Sequence, residues 1–319
     1  MKRVFITGIE GFVGRYLAEE LLRAGYEVGG FYYKHASAEH LGKYPVKLFA
    51  GDVSDRRENF WLALDEFSPD AVVHLAAITF VPQSHQDPLN TWRTNLFGTL
   101  NLLEWARQKK PDTKVLVVSS GEVYGAPRDE SELPFDEHSR LNPQNVYAAT
   151  KVAADLAAQQ YPRIWGMKVV VARPFNHTGP GQSPNFVASA FAKQIAEIAL
   201  GLQEPVVKVG NLSAHRDFSD VRDIVRGYRL LLEKVDDGVF NLCSGTPTQI
   251  RWILDKLIEL AGVDVRVETD PARLRPVDVP LIYGSHKKIT EATGWEPQIP
   301  LERTLADLLE WWEKALLSG

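Results

Sequence analysis

Tyr147 and Lys151 lie four residues apart, one helical turn, behind the apolar run VLVVSS at 115–120. A phenol and an ammonium on one helix face can carry a proton to or from a carbonyl oxygen. A tyrosine in water ionises near pH ~10, too high for efficient exchange at neutral pH. An ammonium one turn away stabilises the phenolate, so Lys151 is expected to lower that value. Ser119 and Ser120 end the strand-like run before the pair, and the Ser120 hydroxyl can share a substrate carbonyl oxygen. Lys151 can also hold the ribose of a bound nucleotide. A Tyr-x-x-x-Lys pair alone is a weak signal; what surrounds it gives it weight.

The segment TGIEGFVG carries glycines at 8, 11 and 14, after a strand-like run and at the start of a helical one. Gly8 permits a tight turn, Gly11 lets the backbone approach phosphate, and Gly14 allows close helix–strand packing. The helix then presents the free N–H groups of its first residues, Phe12 and Val13 among them, to a pyrophosphate. A dinucleotide such as NAD(P)H is therefore the expected cofactor. An NAD-specific site places an acid roughly 20 residues on, against the ribose hydroxyls. Here the second strand, YEVGGFYYKHAS, ends without one, and Lys34 and His35 occupy the region. Positive charge there would welcome a 2′-phosphate, so NADP(H) is slightly favoured and NAD(H) stays open. Asp52, with Val53 beside it, follows the third strand and can accept from the adenine amino group or cap its own loop. In HLAA at 74–77, Leu75, Ala76 and Ala77 permit close passage of backbone beneath the cofactor, or simply pack.

The elements positioning these residues are legible as alternating periods. VFIT at 4–7, AVVHLAA at 71–77, VLVVSS at 115–120 and VVVARPF at 169–175 read as strands buried on both faces. Helical patterns separate them, at 14–25 and 91–109. The alternation implies an α/β fold: a Rossmann-type, doubly wound parallel sheet with a smaller carboxy-terminal substrate lobe. Residues 1–175 form the expected dinucleotide-binding domain, with returning segments near 217–245; residues 176–319 form most of the other lobe, interleaved with the first. RPFNHTGPGQSPNF reads as a long functional loop. Helices are expected at 186–201 and from 246, strands at 206–209 and 238–242, and a final helix with Leu301, Leu305, Leu308, Leu309, Trp312 and Leu316 on one core-facing stripe.

The 319 residues are 45% hydrophobic and 24% charged, with a formal charge of −5. That balance speaks against a nucleic-acid footprint. The single cysteine, Cys243, precludes an internal disulfide and suits a reducing compartment. The apolar run that follows the basic pair in MKRVFITG is broken by Gly8 and Glu10, too soon for a signal peptide; no stretch approaches a membrane span, and the histidines lack paired ligand spacing. A cytoplasmic enzyme without a metal is expected.

In this order TGIEGFVG, HLAA, SSGEVYG and YAATK resemble the extended short-chain dehydrogenase/reductase superfamily over the whole chain. RPFNHTGPGQ at 173–182, SAHRDFSDVRD at 213–223, NLCSG at 241–245 and DPARLRPVD at 270–278 resemble one branch of it, the GDP-4-keto-6-deoxy-mannose reductases, which form GDP-D-rhamnose. The resemblance implies reduction of a carbon-four ketone on a GDP-sugar, with Pro174 and His177 in the cofactor site. It places Asn176 at the sugar, and Asn185, Phe186, Val187 and Lys193 at the guanosine diphosphate. Arg216 and Arg275 would pair with the pyrophosphate and Asp278 with the guanosine ribose. Guanidinium forks suit diphosphate oxygens. The related GDP-mannose dehydratases need further acid–base groups after the catalytic hydroxyl. Here the run is Ser120-Gly121-Glu122: Glu122 can serve as a base, hold the sugar or be a structural carboxylate, but Gly121 offers no acid. The resemblance also implies a homodimer through helices near 92–108 and 147–160, with Leu96, Leu100 and Leu103 buried there or in the core.

Overall fold

A computed structural model describes residues 2–55, 59–274 and 279–318. Six apolar runs form β1 (Arg3–Thr7), β2 (Glu27–Tyr33), β3 (Val46–Gly51), β4 (Ala71–His74), β5 (Lys114–Val118) and β6 (Val169–Pro174). They pair in parallel in the order β3-β2-β1-β4-β5-β6. After the short strands β7 (Asn176–Thr178), β8 (Val206–Val209) and β9 (His215–Asp220), the chain returns as β10 (Gly238–Leu242), which pairs parallel beside β6 as the seventh strand of the sheet. Strand order reverses between β1 and β4, where ligands enter sheets of this kind.

Both faces of the sheet are covered, so its strands contain little that is polar. On one face Val4, Ile6 and Val73 meet Leu17 and Leu21 from the helix Phe12–Arg23, and Tyr228 and Leu231 from the helix Val221–Lys234. On the other, Phe5, Phe31 and Val72 meet Phe67, Leu102, Leu103 and Trp105. Each fully buried side chain of this size contributes about 1.5–3 kcal/mol. Cys243, just past β10, is buried, and burial pushes its thiol pKa up.

The remaining strands, β11 (Pro247–Gln249), β12 (Arg266–Thr269) and β13 (Leu281–Ile282), join β7, β8 and β9 in two small sheets. A separate core gathers between the helices Val187–Ala199, Ile250–Ala261 and Leu301–Ser318. Leu305, Leu308, Leu309 and Trp312 are buried in it, with Leu301 and Leu316 packed at its edge, and the Trp312 indole donates to Ser189 Oγ at 3.0 Å. No helix among the described residues is long and apolar enough to cross a membrane.

Two elements differ from the sequence reading. The helix from 246 begins only at Ile250, because Pro247–Gln249 instead pairs antiparallel with β9. The single helix expected at 91–109 is interrupted: a widened π turn at Arg93–Phe97 separates Pro88–Trp92 from Gly98–Lys109. Such turns accommodate a local demand that regular helix cannot. Here Asn95 points inward, accepting from the Ile78 N–H at 2.8 Å and donating to the Ile78 carbonyl at 3.0 Å and Thr150 Oγ at 2.9 Å.

Candidate active site

The glycine turn leaves β1 and enters the helix Phe12–Arg23. Gly8 has φ +71°, and a Cβ there would lie 2.9 Å from the Ala76 backbone. The first turn and the HLAA segment are thus in backbone contact, which only glycine allows. A Cβ on Gly14 would lie 2.4 Å from the Gly8 carbonyl oxygen, so the helix is packed onto the turn. Gly11 differs: a Cβ there would approach only the Gly8 carbonyl, at 3.2 Å. It caps the helix with no side chain, leaving the first-turn N–H groups of Phe12 and Val13 without a side-chain acceptor. Open donors at a positive helix end, with glycines at 8, 11 and 14 beside them, fit a pyrophosphate.

Around this cradle, Thr7 Oγ lies 2.7 Å from His74 Nδ1 and accepts from Ala76 N–H at 3.2 Å, while Leu75 N–H donates to the Thr7 carbonyl. Burial, with Lys151 adding to it, holds the His74 imidazole pKa down to about 3, so it is neutral. Asp52 accepts from both the N–H and the hydroxyl of Ser54 with one oxygen, a loop cap. The Val53 side chain is buried against Gly98 and its carbonyl accepts from Asn101, so its packing is internal. Lys34 is exposed after β2, its N–H bonded to the Gly51 carbonyl.

At the carboxyl ends of β5 and β6 the chemistry converges. Ser120 follows β5, and its Oγ accepts from Glu122 N–H at 3.1 Å. Asn145 caps the helix Val146–Ala158 through Ala148 N–H, which fixes the turn carrying Tyr147 and Lys151. Asn145 Nδ2 also approaches Glu122 Oε2, at 3.5 Å. Tyr147, Lys151 and Ser120 are all buried. Of the two candidate serines, Ser120 acts on the phenol, lowering its pKa; Ser119 is buried with its hydroxyl unpartnered.

One expectation is corrected. Tyr147 is not made acidic: burial pushes its pKa up to about 12, Ser120 pulls it down and Glu122 adds to the rise. Lys151 donates instead to the Val118 carbonyl at 2.8 Å. Burial lowers the Lys151 pKa to about 8, partly offset by Asp155. Desolvation of the phenolate is the largest cause, and Tyr147 is a protonated phenol at neutral pH.

The substrate-side residues of the sequence reading are arranged around β7. Asn176 is exposed on β7, paired beside Phe218. His177 Nδ1 lies 2.9 Å from the Phe175 carbonyl, which can only accept; Nδ1 therefore carries the hydrogen, and burial keeps the ring neutral. Pro174 ends β6 in the core of the sheet. Asn185 and Phe186 are exposed before the helix that Val187 opens, and Phe186 meets Phe80 edge-on at 6.4 Å. Lys193 pairs with Glu197 at 2.9 Å, and Arg216 donates to the His215 carbonyl at 2.8 Å. Arg275 and Asp278 lie outside the described residues.

The structure adds residues that sequence reasoning did not single out. Arg173 makes a two-pronged pair with buried Asp155, at 2.8 and 3.1 Å, and donates to Tyr124 Oη at 3.0 Å. Asp155 was legible as the next turn of the Tyr147–Lys151 stripe. Asn95 gave no signal, because its inward aim depends on the π turn. Phe175 is wedged between two glycines: a Cβ on Gly121 would lie 2.8 Å from its ring and one on Gly284 2.5 Å.

A parallel sheet reversing at β1/β4, a glycine turn on the first crossover and a Ser–Tyr–Lys group at the strand ends define a short-chain dehydrogenase/reductase. Within that class the chain belongs to the GDP-mannose 4,6 dehydratase family, whose model matches residues 5–308. It is 38% identical over 314 residues to GDP-6-deoxy-D-mannose reductase of Pseudomonas aeruginosa, covering 98% of this chain and 97% of that one. It is 30% identical to GDP-mannose 4,6-dehydratase of Vibrio cholerae, covering 97% and 92%. Among solved structures, RMD from Pseudomonas aeruginosa complexed with NADPH superposes with a TM-score of 0.84 at 35% identity, over 99% of this chain and 100% of that one. UDP-glucose 4-epimerase of Thermotoga maritima, with UDP-glucose, gives 0.88 at 27% identity, over 98% and 99%.

Proposed function

We propose that this protein reduces the carbon-four ketone of GDP-4-keto-6-deoxy-D-mannose to GDP-D-rhamnose, using NADPH or NADH. When bound, the reduced nicotinamide supplies the hydride. Tyr147, protonated at neutral pH, gives its proton to the carbonyl oxygen, which becomes more basic than a phenolate as the hydride arrives. Ser120 orients that oxygen, and the Lys151 ammonium stabilises the phenolate left behind. The raised pKa of Tyr147 suits this direction, since a donor must hold its proton until the oxygen develops charge. Asn176, Asn185, Val187, Lys193, Arg216, Arg275 and Asp278 remain the proposed contacts to the GDP-sugar.

The observation that carries reduction over dehydration is Gly121 under Phe175. An acid at the position after Ser120 would need a Cβ 2.8 Å from that ring. Reduction needs no such group, and Glu122 is left to hold the sugar. Similarity to a named GDP-6-deoxy-D-mannose reductase over nearly the full length supports the same reading.

We further infer a homodimer formed by the helices of residues 81–109 and 146–165. Leu103 is buried within the protomer, whereas Leu89, Phe97, Leu156 and Trp165 stand exposed on these elements, as a contact between two copies requires. A cytoplasmic location fits the supply of both reactants.

The test is to supply the purified protein with the keto sugar nucleotide and follow the absorbance of reduced nicotinamide. One equivalent consumed per GDP-rhamnose formed is expected. Conversion of GDP-mannose to the keto sugar without net consumption of reductant would establish the dehydratase instead.

A further inference from the structure

We propose that Glu10 recognises the unphosphorylated adenosine ribose of the dinucleotide and acts against a 2′-phosphate. This rests on the reading that the glycine turn holds a dinucleotide.

Strand β2 ends at Tyr33 without the acid that commonly binds ribose hydroxyls there. The structure brings a carboxylate to that place from the other side of the crevice. Gly8 N–H donates to the Phe31 carbonyl at 2.8 Å, stitching the glycine turn to β2. Two residues along the turn, Glu10 Oε1 accepts from the Tyr33 N–H at 3.0 Å. The carboxylate therefore stands at the carboxyl end of β2. Its second oxygen, Oε2, is shielded from solvent and makes no hydrogen bond. A carboxylate oxygen removed from water without a donor is costly. Ribose hydroxyls are donors, and one bound at this end of β2 would satisfy it.

A 2′-phosphate has no hydrogen to give and brings a charge of about −1.5 to −2. Placed beside Glu10, it meets repulsion where the ribose hydroxyl finds an acceptor. Lys34 and His35 act in the opposite sense, but both are exposed, and solvent and salt weaken them. With its Oε2 shielded, Glu10 therefore outweighs the positive charge that the sequence alone made prominent.

Calorimetric titration of the full chain with NADH and with NADPH, without substrate, tests this. The protein itself is expected to bind NADH at least as tightly as NADPH. In Glu10→Gln the ratio should move toward NADPH by about tenfold, as expected for loss of a hydrogen bond to a charged group. Glu10→Ser, which removes the carboxylate altogether, should move it the same way. Ratios within twofold of the parent in both variants would overturn the role of Glu10 while leaving dinucleotide binding intact. A parent that binds NADPH more than tenfold tighter would overturn it without any variant. Binding of neither dinucleotide would bring down the proposed function as well.

Discussion

Asp155 lies one helical turn beyond Lys151, and Arg173 grips its carboxylate from β6 with two hydrogen bonds, at 2.8 and 3.1 Å. The pair couples the helix that carries Tyr147 and Lys151 to the strand that leads into β7. It also sets a negative charge along the helix from the Lys151 ammonium, which burial alone would push toward neutrality.

With a pKa of about 8, Lys151 loses its proton in a measurable range. Turnover should fall above that pH as support for the Tyr147 phenolate disappears. Stability should not fall for this reason. Lysine in an unfolded chain titrates near ~10.4, so between the two values the unfolded chain holds a proton that the native one lacks. In that window the contribution of Lys151 to stability rises with pH. A pH–rate profile beside urea melts at each pH checks both signs; activity flat to pH 10 would contradict the first.

Replacing Arg173 by methionine leaves the buried Asp155 carboxylate without its ion-pair partner, held only by the Gln159 amide at 2.6 Å. Breaking a buried pair from one side costs about 3–5 kcal/mol, and the Tyr124 hydroxyl loses one partner too. Urea denaturation should show a loss of that order, whereas a change below about 1 kcal/mol would mean water reaches the carboxylate.

Tyr147→Phe removes the proposed proton donor and little else, because the ring stays packed. The turnover number should drop by roughly 10²–10⁴, with the dissociation constant for the dinucleotide nearly unchanged in direct titration. Unaltered turnover would remove Tyr147 from the mechanism.

Gly121→Ser introduces a Cβ within 3.0 Å of the Phe175 ring atoms. Overpacking of this kind costs about 1–3 kcal/mol, to be read from thermal or chemical melts. The variant should gain no ability to dehydrate GDP-mannose, which product analysis by chromatography can follow.

The sequence was most informative where local pattern and global fold agree. Runs such as VFIT and VLVV have to be buried on both faces, so they read as parallel strands before any pairing is known. Gly8 and Gly14 were legible because a Cβ at either would press on neighbouring backbone, at 2.9 Å and 2.4 Å. Helix starts shifted by a few residues, since caps such as Asn145 depend on where the preceding loop delivers the chain. The π turn at Arg93–Phe97 left no trace in periodicity, because the demand for it comes from Ile78 and Thr150, distant in the chain.

Amino-acid order alone determined which groups are available: a phenol and an ammonium one turn apart, a strand-end hydroxyl, three spaced glycines and a missing acid after the second strand. Tertiary structure decided how each behaves. Burial, a property of the assembled cleft, kept Tyr147 protonated where spacing to Lys151 suggested an acidic phenol. Packing of Phe175 explained why position 121 is glycine, and pairing of β1 with β2 carried Glu10 to the place where the second strand lacked its acid. Spacing fixes what can meet, but desolvation and long-range contact are set only when the chain closes on itself.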